Sequence, residues 1–210
     1  MKRVYRRLWG TVRFLLPWFL ATSTVAAQTH PSERLRPSPS PQPRVYGTRI
    51  AVPPTLVTVD DGDTVMIHWG VKDVETVRIL GIDTPEIRHL EHDIPFDQPF
   101  GPEARAFCLG AFAAAREIEI LRAATLDPYG RTLGYLFLNG VNYSLMVVGA
   151  RLAEESVTRY GDNGIPQEAA KILEAAKVAG PPAFESPGQY RARMRDVAQA
   201  MKARGDYPSN

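Results

Sequence analysis

The stretch TLVTVDDGDTVMIHWGVKDVETVRILGIDTPE, residues 55–86, decides how the chain is read. Its first five residues are apolar or β-branched, Asp60-Asp61-Gly62-Asp63 is a tight turn, and TVMIH at 64–68 is the returning strand of a hairpin. ETVRILGI at 75–82 is a third β-rich run. Working toward the C-terminus, residues 102–115 predict a helix, with a proline in its first turn and Ala104, Phe107, Cys108, Ala111 and Ala115 along one face. EIEIL at 117–121 alternates as a strand. Asp127-Pro128-Tyr129-Gly130 has type I turn chemistry and opens another strand at 131–138. A helix at 143–148 is capped by Asn142 and stopped by Gly149, and a further one covers 166–178. Five short strands with a helix between the third and fourth predict the α+β class: a small barrel carrying helices, not an alternating parallel sheet.

Outside that barrel the chain changes character. Residues 1–13 carry Lys2, Arg3, Arg6, Arg7 and Arg13, FLLPWFLA at 14–21 is an apolar run, and Val25-Ala26-Ala27 offers small residues to a signal peptidase. This three-part order predicts a signal peptide over 1–27 and a secreted or periplasmic protein. The apolar run falls short of the ~20 residues a spanning helix needs; retention of 1–27 would instead tether the protein to a membrane. Residues 28–54 are expected to be a Pro-rich linker, because seven prolines between 31 and 54 oppose regular sheet or helix. The folded domain is expected over 55–178. Gly180-Pro181-Pro182 then leads into a C-terminal tail, 179–210, that is charged and helical from about 189 to 204.

A length of 210 residues accommodates one compact domain with tails, and 44% hydrophobic with 23% charged residues is ordinary globular composition. The formal charge is +2, but without residues 1–27, which hold five bases and no acid, 20 bases face 23 acids for a charge of −3. That balance excludes a strongly cationic DNA-coating protein. A single cysteine, Cys108, excludes an intrachain disulfide framework and a Cys-rich zinc module. Its place on an apolar helical face also argues against a nucleophile.

Chemistry concentrates in three clusters: Asp61-Gly62-Asp63-Thr64, Asp83-Thr84-Pro85-Glu86 with Arg78 ahead of it, and Tyr129-Gly130-Arg131. Carboxylates gathered at strand ends repel unless a cation lies among them, and hard oxygen donors suit Ca²⁺ or Mg²⁺ rather than zinc. Taken singly, each cluster is also ordinary turn chemistry. Arg78 and Asp83 stand about 16 Å apart on a fully extended strand, so both reach one phosphate only if the chain bends, and Gly81 is the place for it. His89, Glu91, His92 and Asp93 read as a solvated loop, not a zinc site.

In combination, D-G-D-T at 61–64, R-x4-D-T-P-E at 78–86, G-P-E-A at 101–104 and D-x-Y-G-R at 127–131 resemble the staphylococcal nuclease (thermonuclease) family over roughly residues 55–178. The resemblance implies an OB-type five-stranded β-barrel with three helices. It implies a Ca²⁺ site formed by Asp63, Asp83 and the carbonyl of Thr84, with Arg78, Glu86 and Arg131 as catalytic residues. Tyr129 matches a substrate-contacting position, although a turn residue packed on the barrel is the alternative, and Tyr160 is the one stacking residue after the second helix. The implied activity is a Ca²⁺-dependent, sugar-non-specific nuclease acting on DNA and RNA as a monomer, with no stable protein partner, and leaving 3′-phosphate ends. A catalytically silent OB-fold module that binds nucleic acid or protein is the competing reading; keeping all six metal and catalytic positions favours the enzyme.

Overall fold

Apolar residues at every second position fold residues 57–79 and their partners into one curled sheet. The computed structural model describes residues 39–208, so the expected signal segment and the first part of the linker lie outside the described residues. In chain order the strands and helices are β1 (Arg49–Val52), β2 (Val57–Val59), β3 (Thr64–Gly70), β4 (Asp73–Ile79), β5 (Ile82–Asp83), α1 (Gly101–Ala114), β6 (Ile118–Leu126), β7 (Thr132–Leu138), β8 (Val141–Asn142), α2 (Tyr143–Gly149), β9 (Glu154–Glu155), α3 (Val157–Tyr160), α4 (Pro166–Ala179) and α5 (Pro187–Arg204).

The main sheet has seven strands in the order β1-β6-β7-β4-β3-β2, with β8 added on β7, and β5 pairs with β9 in a separate two-stranded ladder. The five expected strands form its contiguous run β6-β7-β4-β3-β2. All ladders of this sheet are antiparallel except β4 with β7, where Arg78 lies opposite Leu133. Three differences from the sequence reading have local causes. Pro54–Leu56 turn into a 3-10 helix, so the first expected strand shortens to β2. The 75–82 run breaks at Gly81 into β4 and β5. The Pro-rich linker, expected to hold no regular structure, contributes β1, whose Arg49, Ile50, Ala51 and Val52 pair with Leu121, Ile120, Glu119 and Ile118. Its edge position tolerates neighbouring prolines that a central strand would not.

Val65, Ile67, Val77, Ile79, Ile120 and Leu136 fill the concave face, and α1, α2 and α4 close it with Cys108, Phe112, Tyr143, Val147 and Ile172. Tyr143 is fully buried, and its hydroxyl donates to the carbonyl of Gly62 (2.8 Å), which ties α2 to the first acidic turn. Burial pushes the Cys108 thiol up to about 12, consistent with a core residue rather than a nucleophile. The helix expected in the tail is present as α5, two residues longer at its start, and forms a separate cluster in which Tyr190 and Met194 pack with Ile94 and Val197.

Candidate active site

The bend at Gly81 builds the site. Gly81 adopts φ +80°, and a Cβ there would sit 2.4 Å from Ile172 Cδ1. This turn folds Arg78 back over the segment that follows it. Its Nη2 donates to Asp83 Oδ1 (2.8 Å) and to the carbonyl of Ile82 (3.3 Å), while Nη1 ion-pairs with Asp63. One guanidinium therefore spans the two carboxylates that the family resemblance assigns to a cation.

Asp63 and Asp83 are 3% and 1% exposed. Asp63 Oδ2 accepts from the Thr84 backbone N–H (2.8 Å), and the backbone N–H of Asp63 donates to Asp61 Oδ1 (2.9 Å). The D-G-D-T turn and the D-T-P-E turn are thus joined by a carboxylate-to-backbone hydrogen bond. Burial pushes the Asp83 carboxyl up, but the guanidiniums of Arg191 and Arg78 outweigh it and hold it below the usual aspartate range.

Glu86 stands on the far side of Pro85, and its backbone is clamped by Gln98. The Glu86 N–H donates to Gln98 Oε1 (3.0 Å), and the Gln98 N–H donates back to the Glu86 carbonyl (2.8 Å). Gly101 makes room for this clamp, since a Cβ there would lie 2.1 Å from the Glu86 carbonyl oxygen. Burial raises the Glu86 carboxyl above the ordinary glutamate value, against the lowering effect of Arg191.

Arg131 is placed differently. It leaves the type I turn just before β7, where its Nε donates to Asp127 Oδ2 (2.6 Å) and its guanidinium lies 5.6 Å from the Tyr129 ring centroid. It stands two residues before Leu133, the register partner of Arg78. Asp127 Oδ1 also accepts the N–H groups of Tyr129 and Arg131, so the D-x-Y-G-R segment is a self-braced turn presenting a cation. Tyr129 is 85% exposed, which removes the barrel-packing alternative for it. Tyr160 is 53% exposed at the end of α3, with the Arg159 guanidinium 5.3 Å from its ring centroid.

The donor set suits a hard cation. Two buried carboxylates already converge on the positive charge of Arg78, and oxygen is the only ligand type they offer. A second grouping was not expected as a site: one ligand atom each from Asp60, Asp61 and His89 lie within 4.8 Å of one another. The sequence reading also missed Gln98, which is 1% exposed, and Arg191 on α5. Arg191 grips both oxygens of Asp83 (3.0 and 2.8 Å) and ion-pairs with Glu86. The only trace of α5 docking in the sequence is the buried spacing of Tyr190, Met194 and Ala198 at i, i+4 and i+8.

Residues 76–180, half of the chain, match the family model for staphylococcal nuclease homologues. The chain is 34% identical over 101 residues to the thermonuclease of Staphylococcus intermedius, covering 48% of this chain and 55% of that protein. It is 31% identical over 127 residues to the thermonuclease of Staphylococcus hyicus, covering 59% and 69%. It is 32% identical over 149 residues to the endonuclease YncB of Bacillus subtilis, covering 67% and 68%. The matched stretch thus spans 55% to 69% of the lengths of these relatives.

Proposed function

The chain belongs to the staphylococcal nuclease family, and we propose that it is an exported nuclease that hydrolyses phosphodiester bonds of DNA and RNA with Ca²⁺ as its cofactor, leaving 3′-phosphate ends. The observation that carries this reading is the convergence of Asp63 and Asp83 on one cationic position, with Glu86 beside them. The nuclease and endonuclease names of the relatives support the activity, and the basic, apolar and small-residue order of 1–27 supports export.

The chemistry follows from charge. A phosphodiester is an anion, and attack by water places further negative charge on its non-bridging oxygens. Arg78 and Arg131 each offer a planar, permanently protonated fork that can donate two hydrogen bonds to those oxygens. Glu86, ionised, accepts the proton of the attacking water, and its backbone clamp by Gln98 fixes where that carboxylate stands. Asp63, Asp83 and the Thr84 carbonyl are the residues that would hold Ca²⁺. When bound, the ion adds electrostatic stabilisation to the charge that develops on the phosphate. Tyr129 and Tyr160, both exposed, are proposed to stack on bases, a contact that every base can make and that implies little sequence preference. The protein is proposed to work as a monomer.

Incubating the purified protein with single-stranded DNA and with RNA, in EGTA and then in excess Ca²⁺, tests this. Cleavage of both polymers is expected only with Ca²⁺, with product ends that accept label after phosphatase treatment. A folded protein that binds nucleic acid yet leaves every bond intact in Ca²⁺ would instead identify a silent OB-fold binding module.

A further inference from the structure

The C-terminal helix α5 reaches into the site just described. Arg191 spends both terminal nitrogens on carboxylates there: Nη1 donates to Asp83 Oδ1 (3.0 Å) and also pairs with Glu86, and Nη2 donates to Asp83 Oδ2 (2.8 Å). With Arg78 already on Asp83 Oδ1, both oxygens of that carboxylate are occupied by guanidinium. Arg191 thereby commits three of its five N–H donors to carboxylates of the site.

The helix is held by contacts of its own. Tyr190 and Met194 pack with Ile94 from the 87–100 loop, and the Tyr190 hydroxyl donates to the Phe96 carbonyl (3.0 Å). Gln98 Nε2 donates to the Glu185 carbonyl (2.5 Å), and the Ser186 hydroxyl donates to Glu154 Oε1 (2.8 Å). Farther along, Lys202 pairs with Asp93 and the Tyr207 hydroxyl donates to the Leu90 carbonyl (2.8 Å). None of these residues belongs to the barrel core, so α5 can leave without opening it. Gln98 meets both sides: it clamps the Glu86 backbone and anchors the approach to α5.

We propose that α5 is an intramolecular plug, with Arg191 as a tethered cation that occupies Asp83 and Glu86 until a divalent ion and nucleic acid displace it. The inference rests on the reading of Asp83 as an ion ligand and Glu86 as proton acceptor. Ion and guanidinium need the same Asp83 oxygens, so the two compete, and the apparent affinity for the ion is lowered by the fraction of molecules in which the helix is docked.

Calorimetric titration of Ca²⁺ without nucleic acid, into wild type, Arg191→Gln and Met194→Asp, tests the competition. The first variant removes the tethered charge at nearly constant length, and the second loosens the docking while keeping the arginine. Both are expected to bind Ca²⁺ at least about tenfold more tightly than wild type, and Ca²⁺ is expected to speed amide exchange along residues 187–204 of wild type. If Met194→Asp fails to fold, Arg191→Gln with the exchange measurement decides. Equal or weaker Ca²⁺ binding in the variants overturns the plug while leaving the ion site standing. A hundredfold loss of kcat in Arg191→Gln at unchanged Ca²⁺ affinity also overturns it and makes Arg191 a substrate-gripping residue. Absence of Ca²⁺ binding in all three proteins overturns the ion site, and the plug with it.

Discussion

Arg78 is a single side chain with two duties, and both depend on its shape. It bridges Asp63 and Asp83, and in the proposed reaction it turns a fork toward the phosphate. Lysine keeps the charge but has neither the plane nor the paired donors. Arg78→Lys is therefore expected to lower kcat by about a hundredfold or more while the protein keeps its circular dichroism spectrum; near-normal kcat would place the phosphate elsewhere. The residues of this site were legible in the sequence because they lie in short turn motifs, where Asp, Gly, Thr and Pro mark both the turn and the chemistry. Arg191 was not. It sits 108 residues from Asp83, on a charged helix where nothing local distinguishes one arginine from its neighbours. Gln98 was hidden for a related reason: an amide that clamps backbone carries no signature apart from its partner.

Among the elements, the bend between β4 and β5 controls the site most directly. Gly81 has positive φ, and Ile172 and Tyr135 crowd the place of a missing Cβ. Gly81→Ala combines backbone strain with a core clash and is expected to cost about 1–3 kcal/mol in urea unfolding. It should also lower activity beyond the loss of folded protein, because the bend brings Arg78 to Asp83; a fully stable, fully active variant would contradict that link. Sequence reading located this bend from the reach required between two residues. It missed β1, where a four-residue edge strand is masked by the prolines around it, and it started the first strand at Thr55, two residues early, because Thr55 and Leu56 belong to the 3-10 turn that begins at Pro54. The helices α1, α2 and α4 were legible to within one residue at each end, because helical periodicity agrees with a proline in the first turn of α1 and α4 and with the Asn142 cap of α2.

At the scale of the molecule, stability and the site titrate in different senses. Glu75 is 4% exposed on β4, where it accepts from Arg122 (2.7 and 2.8 Å), Thr132 (2.7 Å) and Trp69 (2.7 Å). Burial pushes its carboxyl up, but these donors and the Arg122 charge hold it below the ordinary glutamate value. A depressed carboxyl gives stability that is present above its unfolded pKa and lost as pH falls through its folded one. Glu86 has the opposite sign. Its raised carboxyl costs stability that sets in as pH rises past the unfolded pKa and is complete above the folded one. Glu75→Gln should therefore lose about 3–5 kcal/mol at neutral pH and show a shallower fall in stability on acidification, measured by urea unfolding from pH 7 to 3. An unchanged acid limb would remove Glu75 from this role.

In the proposed reaction, acidic oxygens and guanidinium forks break the phosphodiester bond together. This joint action is tested most directly by the rate of plasmid nicking in saturating Ca²⁺ by wild type, Glu86→Gln and Arg131→Ala, each checked for folding by circular dichroism. The expected result is a loss of about 10²–10³-fold or more in each variant. Two folded variants that nick as fast as wild type would contradict the account.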